Sequence, residues 1–107
     1  MKALHLVGRI DDTEIQTTGV LQTIMRRVAR ECDFHVVNEA FHQFEPFGAT
    51  GVLVLAESHF SAHTYPEDSM VYIDVFCCAQ EFDPMHCARV LEREFDGVGT
   101  WDVVTRR

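Results

Sequence analysis

Basic residues are scarce in this chain of 107 residues: nine Lys and Arg stand against 17 Asp and Glu, a net charge of −8. A surface of that sign repels a phosphate backbone and favours cationic small molecules, which excludes nucleic acid as a partner. Long apolar runs are missing too. No window reaches the roughly 18 apolar residues of a membrane span, and the first residues, Met-Lys-Ala-Leu-His-Leu-Val-Gly-Arg, hold no sustained apolar stretch before their charges. The expectation is a cytoplasmic protein with no membrane partner. Cysteines are few, and none forms a CxxC pair: Cys32 and Cys87 stand alone and Cys77 adjoins Cys78. That pattern argues against a disulfide framework or a zinc knuckle and for reduced thiols. What the chain does have is 47% hydrophobic residues, enough for one compact domain over residues 1–107 and too short for a second.

The apolar pattern predicts the elements. Residues 3–10 read as a strand, and Asp11-Asp-Thr-Glu offers turn and capping chemistry before a helix whose Val20, Leu21, Ile24, Met25, Val28 and Ala29 share a face. Residues 34–44 and 51–56 read as a hairpin punctuated by Pro46-Phe-Gly-Ala-Thr-Gly51. Residues 60–65 and 71–78 read as two more strands. Asp83-Pro84 opens a second helix carrying Met85, Ala88, Leu91 and Phe95, and residues 100–105 close the chain as a last strand. The order βαββββαβ predicts an α+β two-layer sandwich, a mostly antiparallel sheet with two helices on one face.

The chemistry concentrates in Leu55-Ala-Glu-Ser-His-Phe-Ser-Ala-His-Thr-Tyr-Pro-Glu67, which follows a buried-looking strand. Each of its residues has a bland reading. Ser58 can cap a turn. His59 and His63 would share a face on a helix, but in an extended segment they lie about 13 Å apart, which argues against a metal site. Cys77 and Cys78 end an apolar strand, where packing is the ordinary use of a thiol. A Ser-His hydrolase is the rival enzymatic reading, yet the Gly-x-Ser-x-Gly elbow between strand and helix is missing around Ser58.

The combination is more specific than its parts. Phe41-His-Gln-Phe-Glu-Pro-Phe-Gly-Ala-Thr-Gly51, the stretch from Leu55 to Glu67, and Asp74-Val-Phe-Cys-Cys78 together resemble the pyruvoyl-dependent S-adenosylmethionine decarboxylase proenzymes in their short prokaryotic form. The resemblance implies autocatalytic cleavage of this zymogen between Glu57 and Ser58, in which the Ser58 hydroxyl attacks its own upstream carbonyl. An ester replaces the amide, and elimination leaves a covalent pyruvoyl group derived from Ser58. It implies His63 as the processing base, assisted by the Thr50 hydroxyl, and Cys78 as proton donor in decarboxylation, with Cys77 structural on the other face of its strand. Ser58, as pyruvoyl group, would form a Schiff base with the substrate's α-amine and act as electron sink. Phe44 would stack on adenine and Glu67 would face the cationic substrate. The implied activity is a lyase of spermidine and polyamine biosynthesis, acting on S-adenosylmethionine as a homodimer with no metal.

Some residues depart from the family pattern. Arg9 stands where an acidic residue is expected in the first strand, Tyr65 replaces a tryptophan, and Ala79 follows Cys78 in place of glycine. Arg9 in the substrate site would disfavour a sulfonium and could clamp a carboxylate. A pyruvoyl-dependent ornithine or arginine decarboxylase is therefore the alternative expectation, and an uncleaved regulatory or binding homologue a further one.

Overall fold

A computed structural model describes residues 3–106. The sheet has six strands, β1 (Ala3–Asp11), β2 (Val36–Gln43), β3 (Ala49–Leu55), β4 (Ser58–Tyr65), β5 (Met70–Cys77) and β6 (Val98–Arg106). Two helices, α1 (Thr18–Glu31) and α2 (Pro84–Phe95), complete the expected order βαββββαβ, with a short 3-10 turn at Pro66–Asp68. Strand order is β2-β3-β4-β5-β1-β6, and every neighbouring pair is antiparallel. The chain thus builds a meander from β2 to β5 and then places its first strand inside the sheet, between β5 and β6.

Period-two alternation decides which side chains meet the helices. Leu53 of β3, Phe60 and Ala62 of β4, Val71, Ile73 and Val75 of β5, and Leu6 and Ile10 of β1 are all buried. They form one core with Leu21, Met25 and Val28 of α1 and Ala88, Leu91 and Phe95 of α2. Helix α1 starts later than the acidic run suggested. Its cap is Thr17, whose hydroxyl accepts from the Val20 N–H at 3.4 Å. Asp83 caps α2 as expected, accepting from Met85 and His86.

Two glycines are required by close approach. A Cβ on Gly8 would lie 2.1 Å from the Thr100 carbonyl oxygen, and one on Gly51 would lie 2.4 Å from the Phe41 ring. Among the described residues, nothing covers the face of the sheet away from the helices. It carries exposed apolar and aromatic side chains, among them Val7, Val54, Tyr65, Tyr72 and Val104. Among the described residues, no helix is long and apolar enough to cross a membrane.

Candidate active site

Leu55 pairs with Ser58, so Ala56 and Glu57 are the whole connection between β3 and β4. Two-residue hairpin loops favour turns with positive φ and residues such as Asn and Gly. Neither Ala56 nor Glu57 adopts positive φ, and Ser58 follows as the first residue of β4 with a nearly extended φ of 157°.

Strand β5 brings Cys78 to this turn, because Ser58 pairs with Cys77. The Glu57 carbonyl oxygen accepts two hydrogen bonds from Cys78, one from its backbone N–H at 3.1 Å and one from its thiol at 3.0 Å. The Ser58 hydroxyl lies 3.9 Å from the same sulfur. Cys77 is buried on the helix side, and burial pushes its thiol up from the ordinary range. Cys87 is raised as well, first by its hydrogen bond with Cys32 and then by burial.

Glu57 has a partner that sequence reasoning missed. The His35 ring meets its carboxylate at 2.5 Å, and the His35 N–H donates to the other oxygen at 3.1 Å. Burial works against ionisation of Glu57, but the bonds from His35 outweigh it, and the carboxyl is held below its usual range. Their separation of 22 residues offers no periodic signal by which sequence could have found the pair.

The remaining expected site residues gather at the other end of the hairpin. The Thr50 hydroxyl and the His63 ring are 2.9 Å apart, and with Phe44, Phe47, Tyr65 and Glu67 they line a groove of about 480 Å³. Phe44 is half exposed and meets the His42 ring edge-on at 4.7 Å. Strand register aligns His42, Thr50, His63, Tyr72, Arg9 and Thr100 in one row across the open face. Arg9 is thus about 10 Å from His63, two strand spacings away, and pairs with Asp11 at 3.1 Å.

The expected residues therefore form two clusters. Glu57, Ser58 and Cys78 are together; Thr50, His63, Phe44 and Glu67 are together. Five steps of extended strand lead from Ser58 to His63, about 16 Å, so within one chain the imidazole does not reach the Glu57–Ser58 bond. Among the described residues, no group of three His, Cys, Asp or Glu side chains could hold a metal ion.

Comparison with known proteins gives these clusters a context. The sequence profile of the S-adenosylmethionine decarboxylase family matches residues 5–104. An S-adenosylmethionine decarboxylase proenzyme of Clostridium botulinum is 39% identical over 71 residues, covering 66% of this chain and 61% of that protein. One of Symbiobacterium thermophilum is 44% identical over 77 residues, covering 72% and 58%. One of Fervidobacterium nodosum is 33% identical over 100 residues, covering 89% and 73%. The match thus spans only about three fifths of the length of the first two relatives. The fold is shared with the crystal structure of an adenosylmethionine decarboxylase from Aquifex aeolicus, with a TM-score of 0.84 over 97% of this chain and 88% of that one, at 22% identity. A profile match over nearly the whole chain, carried on a sheet whose tightest turn presents Glu57 and Ser58 to Cys78, leads to one conclusion: the chain belongs to the S-adenosylmethionine decarboxylase family.

Proposed function

We propose that this chain is a pyruvoyl-dependent S-adenosylmethionine decarboxylase, made competent by cleavage of its own Glu57–Ser58 bond. One observation carries the reading. The carbonyl that Ser58 would attack is the one whose oxygen already accepts from both the N–H and the thiol of Cys78, a pair of donors suited to a developing oxyanion. Attack forms a bond from Ser58 Oγ to the Glu57 carbonyl carbon and breaks its bond to the Ser58 nitrogen, which takes up the hydroxyl proton. A base then removes the Ser58 α-proton and the Glu57 carboxylate departs; water releases ammonia from what remains at residue 58. The pyruvoyl group so made supplies an electron-withdrawing carbonyl for decarboxylation. The Cys78 thiol, beside the same residue, is placed to deliver a proton to the substrate carbon.

The base is the difficulty within one chain, and a homodimer removes it. The Ser61–Asp74 pair lies between His63 at one end and Ser58 at the other. A second copy laid on the open face about a two-fold axis near that pair would bring the partner's His63 and Thr50 to the Glu57–Ser58 end of β4. The uncovered face, with Val7, Val54, Tyr72 and Val104 exposed on it, suits a second sheet packed about 10 Å away. The groove with Phe44 and Glu67 would then sit beside the partner's Ser58, as ring and carboxylate for a substrate with an aromatic base and a positive charge.

Intact mass under denaturing conditions tests cleavage. Fragments 1–57 and 58–107, the second with a borohydride-reactive carbonyl, support the reading; a lasting 12.2 kDa species refutes it and favours the uncleaved homologue. Mixed dimers test the shared site. His63→Ala chains should be cleaved when paired with Ser58→Ala chains, although neither is cleaved alone; a mixed dimer with both chains intact would sink the two-chain site. Arg9, on the face and row of His63, favours a second reading, an ornithine or arginine decarboxylase in which it pairs the substrate carboxylate. Carbon dioxide release from the three substrates in parallel separates the two.

A further inference from the structure

The turn that carries Glu57 and Ser58 is held from its other side by a residue that has no part in the chemistry above. Helix α1 stops with Cys32 as its cap and Asp33 at φ 58°, and the Phe34 N–H returns to the Ala29 carbonyl at 2.8 Å. This is the pattern of a helix end closed by a left-handed residue. Phe34 packs against Phe82, with ring centroids 5.9 Å apart. His35 follows at once, so its backbone is set by the helix end. It makes three contacts with the two residues before Ser58. Its carbonyl accepts the Ala56 N–H at 2.8 Å, its N–H donates to Glu57 Oε1 at 3.1 Å, and its ring Nδ1 meets Glu57 Oε2 at 2.5 Å.

We propose that His35 is a positioning residue for the cleavage: by gripping Ala56 and the Glu57 carboxylate it holds the Glu57 carbonyl oxygen against Cys78, where Ser58 can attack. The proposal rests on the self-cleavage reading. Cys78 fixes the carbonyl oxygen and His35 fixes the side chain and the preceding amide, so the acyl group cannot swing away from the Ser58 hydroxyl. After cleavage the same contacts would retain the new chain end at Glu57.

Charge governs the grip. The His35 ring faces Glu57 from the β3–β4 turn, Asp33 from its own loop, Glu31 from α1, Glu81 and Asp83 from the segment before α2, and His86 from α2, all around one cavity of about 320 Å³. Carboxylates outnumber the other histidine there. The hydrogen bond that His35 donates to Glu57, then the Glu57 charge, and lastly Asp33 raise the His35 pKa above 6.5, with burial opposing them. The grip is therefore strongest while His35 is a cation and weakens as pH rises through its raised pKa.

The test uses freshly translated full-length chains, with cleavage followed by mass at a series of pH values. Because His35 is exposed, His35→Ala should slow cleavage only roughly three- to fivefold. His35→Asn, which keeps a donor near the Nδ1 position without the charge, should recover part of that rate and lose the decline on the alkaline side. In the uncleavable Ser58→Ala chain, the His35 imidazole resonance should titrate above 6.5 and move towards 6.5 when Glu57→Gln is added. Wild-type rates with an unchanged pH profile in both His35 variants overturn the proposal, as does a His35 titration indifferent to Glu57→Gln. A wild-type chain that never cleaves overturns the self-cleavage reading instead, while the titration still reports whether the grip exists.

Discussion

Replacing Cys78 by alanine separates the two uses proposed for one thiol, and its effect on cleavage can be sized from the geometry. The Glu57 carbonyl oxygen has two donors, the Cys78 N–H at 3.1 Å and the Cys78 thiol at 3.0 Å. Cys78→Ala removes the second and leaves the first, because the amide belongs to the backbone. Loss of one preorganised oxyanion donor costs about 10²–10³ in rate where that donor is a strong one. A thiol is a weaker donor than an amide, and the surviving N–H still holds the oxygen in place. The expected slowing is therefore about tenfold to a hundredfold, or roughly 1.4–2.8 kcal/mol of barrier. Cys78→Ser, which keeps a donor at a slightly different reach, should cleave faster than Cys78→Ala. The assay is a time course of fragment appearance by intact mass, followed by carbon dioxide release from whatever cleaved enzyme accumulates. Cys78→Ala should reach full cleavage in the end and then decarboxylate poorly. Cleavage of Cys78→Ala at the wild-type rate would refute the oxyanion role and leave the thiol only its later one.

Other substitutions read other parts of the fold. Thr50→Val keeps the volume but removes the 2.9 Å contact to His63; cleavage should slow roughly three- to tenfold and recover in Thr50→Ser, and an unaffected rate would show that the imidazole needs no hydroxyl to orient it. Val7→Asp places a charge on the open face, where Val7 is 38% exposed in the single chain; sedimentation should then show a monomer and mass spectrometry an uncleaved chain, whereas an intact dimer would mean that another surface pairs. Gly8→Ala sets a Cβ 2.1 Å from the Thr100 carbonyl oxygen, a backbone atom that cannot rotate aside, so β6 must shift; chemical denaturation should register a loss of about 1–3 kcal/mol. In the uncleavable Ser58→Ala chain, the His35–Glu57 pair makes stability depend on pH from both sides. The raised His35 pKa adds stability that is complete below 6.5 and is lost as pH rises through the folded value. The lowered Glu57 pKa adds stability present above 4.5 and lost as pH falls through its folded value. Melting temperature should therefore fall at both ends, and His35→Asn should flatten the alkaline fall.

Local pattern determined much of this protein. Periodicity near 3.6 marked Leu21, Met25 and Val28 as one buried face, because burial acts on neighbours along the chain in a fixed geometry. Asp83-Pro84 announced α2 for the same local reason. The order βαββββαβ and a tight turn ending at Glu57 between two strands were legible in the sequence. Alternation does not say which strands are neighbours, however. That β1 enters between β5 and β6, and so lines up Arg9 with Tyr72 and His63, follows from long-range pairing that leaves no mark on any one segment. Nor does it give distance between side chains: Ser58 and His63 are close in sequence, but a strand is the most extended form the chain takes, and it carries them to opposite ends of β4. The contact of His35 with Glu57 likewise arises only once α1 has ended and β2 has paired with β3. Sequence thus determined what each element buries and where the bond proposed for cleavage lies. Tertiary structure alone decided which side chains share a site, since that depends on the order in which strands are brought together.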